Sequence, residues 1–408
     1  MNKKFAFTDI AGQKYSEWDS RKLGLVGETF TGLAGKTKED FGRGSSKFIT
    51  YMNVFANKVA TEDMLELVDV KEGEKQNSVS KGDILFTTSS ETLKDVGRAS
   101  LWNHETSVYL NSFCFGFRNN SSDVDSLFLV NLLHSPLMRE AITRLGQGST
   151  RINISKTRLM NLPIDIPSLP EQKQIAEFFS ALDERVELQS EKVALLREQK
   201  RGFQQRVFSG DMAFTDDNGN PYPAWEEKKL SDIAKLVTGN TPPTDDSSCW
   251  DGDYPWITPG DMGQNKYVTT SRRKVTGLGL EKSRYLPAGS LVVTCIGATI
   301  GKSAILAVEG SCNQQNNVVL PSDTLSVEYI YYFLETQVDK MKGLAGQTAT
   351  PILNKTTFGQ LLISLPSLPE QEKIAAFFSA LDESIALNDR KLELLKEQKK
   401  GYLQGIFG

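Results

Sequence analysis

The chain has 408 residues, enough for two or more ordinary domains, with 24% charged residues and a formal net charge of −4. It shows no apolar run near 18 residues and no cleavable leader, so a membrane-spanning or secreted class is excluded and a cytoplasmic location is expected. Cys114, Cys249, Cys295 and Cys312 are scattered without CxxC spacing, which excludes a disulfide frame or a zinc site and fits reduced thiols.

In chain order, an N-terminal segment (1–17) leads into a variable domain at 18–167, closed by a long predicted helix at 168–210. The polar run DMAFTDDNGNPYPA at 211–224 reads as a Gly/Pro/Asp linker. A second variable domain at 225–366 precedes a second helix at 367–408. The two helices are one segment written twice. SLPEQKQIAEFFSALDE returns 199 residues later as SLPEQEKIAAFFSALDE, and 24 of the 41 aligned positions from 168–208 are identical. This period is too long for a solenoid, whose units run roughly 20–50 residues. A whole module has been duplicated.

Each helix carries a heptad seam. Ile175, Phe179, Leu182, Val186, Gln189, Val193, Leu196, Lys200, Phe203 and Val207 alternate at spacings of four and three. Ile374, Phe378, Leu381, Ile385, Asn388, Leu392, Leu395, Lys399, Tyr402 and Ile406 repeat the pattern, with polar breaks at matching places. That spacing makes one apolar stripe, the mark of a coiled coil. Pro170 and Pro369, each followed by Glu, signal the helix starts. Both helices are acidic early and basic late, so an antiparallel pair sets opposite charges side by side. A homodimerising coil is the plainer alternative.

The domains repeat more faintly. Trp18 with Lys22-Leu23 matches Trp225 with Lys229-Leu230, and the run 81–87 matches 288–294, all offset by 207. Gly146-Gln147 and Gly346-Gln347 lead towards Lys156-Thr157 and Lys355-Thr356. Strand-like runs at Ser290–Ile296 and Asn317–Leu320 mix with helical stretches at Ser126–Leu145 and Ser326–Met341, which predicts an α+β fold.

No catalytic constellation emerges. His104 and His134 are the only histidines, His134 reading as structural, and there is no HExxH or Cys/His cluster. The run 297–303, GATIGKS, is one residue shorter than a Walker A loop, with Ile296 where the first glycine belongs. It is either a short glycine turn between strands or an exposed loop that reaches a DNA groove. Thr241-Pro242-Pro243 differs from the Asp/Asn-Pro-Pro-aromatic loop of amino-methyltransferases.

The duplicated SLPEQ…IA…FFSALDE…L…K…LL…EQK…G segments, each closing a variable domain, resemble the conserved regions of the specificity subunit of type I restriction–modification enzymes. The second domain adds runs frequent in that family's target recognition domains, at 252–258, 286–291, 294–301 and 313–317. In the first domain Phe48-Ile49-Thr50-Tyr51 only echoes Trp256-Ile257-Thr258-Pro259, and the Gln-Asn run is missing. The resemblance implies two tandem target recognition domains, each reading half of a split double-stranded DNA site. It implies an antiparallel coiled coil as spacer, docked methyltransferase subunits that modify adenine, and motor-nuclease subunits that join for restriction. The chain then has no cofactor and no chemistry of its own; S-adenosylmethionine, Mg and ATP are expected on the partners, in a bacterial or archaeal cell.

For a DNA reader the charge is unusual. By segment it is about 0 for the first domain, −1 for the second, −1 for the two helices and −3 for the linker, so basic residues must be segregated locally. Candidate contacts in the first domain are Arg43, Lys47, Lys94, Arg98, Arg151, Lys156 and Arg158, with Thr88, Ser89 and Ser90 able to read base edges. In the second they are Lys266, Arg272, Arg273, Lys274, Lys282, Arg284, Thr299, Lys302 and Lys355, with Gln314, Gln315, Asn316 and Asn317. Gln and Asn can pair bidentately with adenine; the alternative is that the Gln-Asn run satisfies loop backbone. The competing function is a coiled-coil scaffold that never touches DNA.

Overall fold

The computed structural model describes residues 7–9, 11–263, 265–346 and 349–408. Gln347 and the first six residues of the N-terminal segment lie outside the described residues. The chain divides into two compact units, residues 1–190 with 390–408, and residues 191–389. The division falls in the middle of each long helix, Leu169–Phe208 and Leu368–Phe407, rather than at the helix ends. At ~1.5 Å per residue, each 40-residue helix is about 60 Å long.

The two units share one topology. Unit 1 has a five-stranded sheet in the spatial order 27–31, 114–119, 84–87, 99–102, 59–60, antiparallel except for its last, parallel pair. Unit 2 repeats it as 236–238, 316–319, 291–294, 303–306, 267–268, again with only the last pair parallel. A three-stranded sheet follows the same rule. Phe41–Ile49 lies between antiparallel Leu65–Val68 and parallel Tyr109–Leu110, as Trp250–Ile257 lies between Lys274–Val275 and Ser311–Cys312. The α+β expectation and the duplication both hold.

Two predicted helices are broken. Ser126–Leu145 becomes Ser126–Leu133 and Pro136–Thr143, because Pro136 cannot continue the first helix and starts the second, with Ser135 as its cap. The stretch 326–341 likewise splits into Val327–Thr336 and Val338–Leu344.

The repeated PEQ residues anchor each domain to its own helix. Gln172 donates to the Asp123 and Pro167 carbonyls (both 2.8 Å) and accepts from the Asp125 amide (2.7 Å). Gln371 donates to Pro366 O (2.8 Å) and accepts from the Ser326 amide (3.0 Å). Trp18 Nε1 donates to the buried Glu171 (3.2 Å), and Trp225 to Glu370. These bonds explain why Trp and Glu repeat together.

Residues 211–224 are no free linker. Phe214 packs on Phe377 (5.6 Å), Asp216 Oδ1 accepts from the Asn218 and Asn220 amides (2.9 and 2.8 Å), and Lys373 binds Thr215 O and Asp217. Unit 1 has the same device at its start: Phe7 packs on Phe178 (5.9 Å), and Asp9 Oδ1 accepts from Ala11 and Gln13 (2.9 and 2.8 Å). The sequences FTDIAGQKY and FTDDNGNPY share the 207 offset, so the second module begins inside the supposed linker.

Within each unit the two helix segments run antiparallel. In unit 1, Phe179 stacks on Phe407, Phe178 meets Tyr402, and Asp183 pairs with Lys399. In unit 2, Phe208 stacks on Phe378, Phe203 meets Phe377, and Lys200 pairs with Asp382. Ile175, Phe179, Leu182, Val193, Ile374, Phe378, Leu392 and Leu395 are buried, as are Gln189 and Asn388; Val186, Leu196, Leu381 and Ile385 are half-buried. The lysine breaks in the seam thus meet aspartates of the facing helix.

These aspartates also hold the domains. Asp183 takes Lys58, whose ammonium also reaches Asn131 (2.8 Å). In unit 2, Asp382 accepts from Tyr332 (2.6 Å), and Lys266 binds Ser379 (2.6 Å) and Glu328 (3.3 Å). Lys58 and Lys266 each precede the parallel edge strand of their sheet, so the clamp is duplicated too.

Candidate nucleic-acid interface

Unit 2 gathers candidates around two buried tryptophans. In the strand Trp250–Ile257 the register jumps, so that Trp250 and Tyr254 both lie opposite Val275. This bulge contains Asp251 at φ 60°, the one non-glycine with positive φ among the described residues. A β-bulge re-aims a side chain, and here the rings of Trp250 and Trp256 meet edge to face, with centroids 5.2 Å apart. Trp250 Nε1 donates to Pro243 O (2.9 Å) and Trp256 Nε1 to Asn240 O (3.1 Å), which fixes both indoles against the 240–243 loop.

Arg273 lies across the ladder, its carbonyl accepting from the Trp256 amide (3.3 Å). Its exposed guanidinium stacks over Trp250, 3.6 Å from the ring centroid. The same loop cluster holds Gln314, whose Oε1 accepts from Thr241 Oγ1 (2.7 Å). Lys282 joins through its carbonyl, which accepts from Asn240 (3.3 Å), and Arg284 through Thr238 O (3.3 Å). The Lys282 ammonium, 2.8 Å away, holds the Asp246 carboxyl well below the usual carboxylate range. Arg272 is exposed, its amide bound to Asp261 (2.8 Å), and Lys302 donates to Pro259 O (2.9 Å). Gln315 is exposed, its Oε1 accepting from Asn313 (2.9 Å).

Other candidates are committed to the fold. Asn316 is buried, donating to Ile257 O (3.3 Å) and Asn313 (2.8 Å) and accepting from Thr294 (3.2 Å). Asn317 is buried, bonded to Thr238 (2.7 Å) and Leu353 O (3.1 Å). Of the two readings of the Gln-Asn run, its second half thus satisfies backbone and strand partners. Lys266 is spent in the clamp on the long helix, and Lys274 is half-buried opposite Pro255. Thr299 is exposed in the glycine turn, where Gly297 N bonds Pro351 O (2.8 Å) and Gly301 lies against Val338. Lys355 is exposed on a separate cleft of about 330 Å³ lined also by Ser231, Lys235 and Gln360.

In unit 1, Thr88 bonds the carbonyl of Phe113 through its amide (3.0 Å) and its hydroxyl (2.6 Å), leaving the Phe113 ring 58% exposed. Tyr51 donates to Ser89 O (2.7 Å) and stacks on Phe55, whose ring Arg98 covers while it pairs with Asp95 (2.7 Å). Lys94 is exposed, with its carbonyl held by Arg139 (3.0 Å). Ser89–Ser90 pair with Ile152–Asn153, which brings exposed Arg151 alongside. Ser90 is buried and donates to Thr92 O (2.6 Å), so its hydroxyl is taken. Lys156 lies 5.2 Å from the Phe115 ring centroid, and Arg158 is exposed on the same short helix. Arg43 and Lys47 are exposed on the three-stranded sheet, where Arg273 has no counterpart: Glu66 faces Phe48 as Arg273 faces Trp256. Trp256 lay in the quoted 252–258 run, whereas Trp250 and Phe113 carried no periodic or motif signal that would single them out in the sequence.

Both units thus repeat one α+β domain on an antiparallel pair of helix segments, with polar and cationic residues exposed on its loops. The family model for the type I restriction modification DNA specificity domain matches residues 15–198 and 223–397. The chain belongs to this family. The MjaIX specificity subunit of Methanocaldococcus jannaschii is 33% identical over 179 residues, 42% of this chain and 41% of that protein. The HindI specificity subunit of Haemophilus influenzae is 33% identical over 42% of this chain and 39% of its own length, so these matches span about two fifths of each relative. The putative MjaX specificity subunit of Methanocaldococcus jannaschii aligns over 97% of this chain and 94% of its own length, at 22% identity. The S subunit of a type I restriction–modification system from M. genitalium has the same fold, with a TM-score of 0.59 at 17% identity, covering 100% of this chain and 99% of that one. Among the described residues no helix is long and apolar enough to cross a membrane.

Proposed function

We propose that this chain is the non-catalytic DNA-specificity subunit of a type I restriction–modification complex, each recognition domain reading one half of a split double-stranded site. The observation that carries this reading is the duplication. Two units that share their five-stranded and central three-stranded sheet orders each present exposed loop residues, cationic and hydroxyl-bearing in both and joined by glutamine in the second. Two readers suit a target in two parts. The cytoplasm of a bacterium or archaeon is the setting such a system needs.

The long helices serve as spacer and as docking surface for methyltransferase subunits, which modify adenine. Four leucines outside the seam support the docking role. Leu188 (57% exposed) and Leu394 (59%) belong to unit 1, and Leu195 (54%) and Leu387 (67%) to unit 2. In each unit the two leucines stand level on the antiparallel segments, as the Asp183–Lys399 and Asp382–Lys200 pairs do. Exposed leucines repeated in register on a charged helix mark a partner surface rather than chance exposure. S-adenosylmethionine, Mg and ATP belong to the partners, and motor-nuclease subunits complete the restriction complex.

The test is to express the chain with its methyltransferase and sequence the modified adenines. A bipartite motif is expected. Exchange of residues 18–167 for a relative's first domain should then change one half only; alteration of both halves, or of neither, refutes the modular reading.

A further inference from the structure

Arg273 differs from every other exposed cation of unit 2 in how it is held. Its guanidinium lies flat on the Trp250 ring at 3.6 Å, with the Trp256 centroid 5.6 Å away. Both rings are buried and anchored by their own N–H groups to loop carbonyls, so the platform cannot swing. The backbone beneath is fixed as well, by the Trp256–Arg273 ladder bond and by the Ser271 hydroxyl, which accepts from the Trp256 amide (2.9 Å). Yet the guanidinium itself makes no hydrogen bond or ion pair with a described residue, while Lys282, Lys302 and Lys266 all have partners.

Such a group is costly to build for a phosphate contact. A phosphate also accepts the guanidinium fork, but a mobile lysine serves there too, and a phosphate contact carries no sequence information. Stacking on an indole instead spends the faces of the guanidinium and leaves its edge of parallel N–H donors presented in one plane. A coplanar pair of donors fits one base edge, that of guanine, whose O6 and N7 are both acceptors in the major groove. The bulge at Trp250–Tyr254, with Asp251 held at positive φ, is the distortion that turns the platform towards this strand.

We infer that Arg273, oriented by Trp250, reads a guanine in the half-site recognised by the second domain. This rests on the proposed DNA-specificity function and adds a base and a residue to it. Trp250 is a positioning residue; it touches no base. The first domain has no such device at the equivalent place, so the two halves are read by different chemistry.

The experiment expresses the full chain with its methyltransferase in a host free of other adenine modification, and compares the methylated motif of wild type, Arg273→Lys, Arg273→Ala and Trp250→Phe. The wild type must give a bipartite motif; if it gives none, the specificity function itself fails. Given that motif, both Arg273 variants should accept other bases at one guanine position of one half-site. The discrimination lost there should be on the order of 10- to 100-fold, with the other half unchanged. Arg273→Lys keeps the charge and the fold, so its loss of selectivity separates base reading from simple attraction. Trp250→Phe, with a smaller platform, should relax the same position and no other. An unchanged motif overturns the inference. So does an equal loss at all sites with a shallower salt dependence, the signature of a phosphate contact.

Discussion

Replacement of Asp183 by Asn should loosen unit 1. Asp183 lies between the cations of Lys58 and Lys399, and the three side chains are only 26%, 16% and 26% exposed. Asn keeps the shape but leaves two ammonium groups half-buried beside each other. Removal of one member of a buried ion pair costs about 3–5 kcal/mol; with partial solvent access the loss here should be about 2–4 kcal/mol. The pH dependence gives a sharper check. Burial, which outweighs the attraction of Asp183, already holds the Lys58 ammonium below its ordinary pKa. The unfolded chain therefore holds this proton more tightly than the folded one, and stability from this group rises as pH climbs towards the unfolded value. Without Asp183 the folded pKa falls further, so the penalty of Asp183→Asn should shrink between pH 7 and pH 10, where Lys58 can shed its proton. Hydrogen exchange of the segments around 58–60, 126–134 and 175–190 reads unit 1 directly. A loss below about 0.5 kcal/mol, or an equal penalty at both pH values, refutes the clamp.

His134 is half-buried, donates from Nε2 to Ala99 O (2.7 Å), and loss of solvent around the ring pushes its pKa down to about 4. Folding thus favours its neutral form: stability is complete above about pH 6.5 and falls by about 1.4 kcal/mol per unit as pH drops towards 4. Urea unfolding from pH 7 to 4.5 should show a shallower slope for His134→Gln, and identical slopes refute the assignment. Leu188→Glu with Leu394→Glu should abolish co-purification of a methyltransferase subunit while the melting temperature stays within a few degrees; retained binding removes the docking surface. A heptad inserted after Leu196 keeps the seam in phase and adds about 10 Å, so the methylated motif should gain roughly three unspecified bases between unchanged halves. An active variant with an unaltered gap excludes the ruler role. Labelled duplex titrated against salt should bind the chain alone weakly, with a slope that the methyltransferase steepens; equal slopes mean that this chain holds DNA unaided.

The helices were legible because their constraint is periodic. Every seam position from Ile175 to Leu196 is buried or half-buried, since a four-three stripe leaves the side chains no other place to pack. The sheets were legible only where both modules kept an apolar run ending in Thr, as at Ile84–Thr87 and Leu291–Thr294. The start of the second module was misjudged because Gly, Pro and Asp dominate it. The shared Phe-Thr-Asp at residues 7–9 and 214–216 was the available signal. For the interface, residue type named candidates but burial decided among them. Asn316 and Gln314 are two residues apart, and one closes a buried network while the other keeps its amide at the surface. The Arg273 stack depends on a bulge that no local pattern announces.

Under the proposed function, the clamps also bear on how a chain with net negative charge reads DNA. Each recognition domain spends a largely buried lysine, Lys58 or Lys266, on carboxylates of its own unit, so part of its positive charge fixes geometry. Most other cations are exposed and offset by acidic residues in near-neutral domains; among the exposed cations around the Trp250–Trp256 pair, Arg273 is the one stacked on an aromatic ring. A surface without net positive charge favours few phosphate contacts, few released counterions and little non-specific affinity. Orientation then has to supply discrimination that charge does not, because a rigid donor pair loses its partner acceptors on the wrong base, whereas a flexible cation finds a phosphate everywhere. A subunit that bound any DNA strongly would hold its partners at random sequence. Under the proposed function, near-neutral domains with rigidly mounted readers would leave strong binding to the assembled complex and keep the choice of site for this chain.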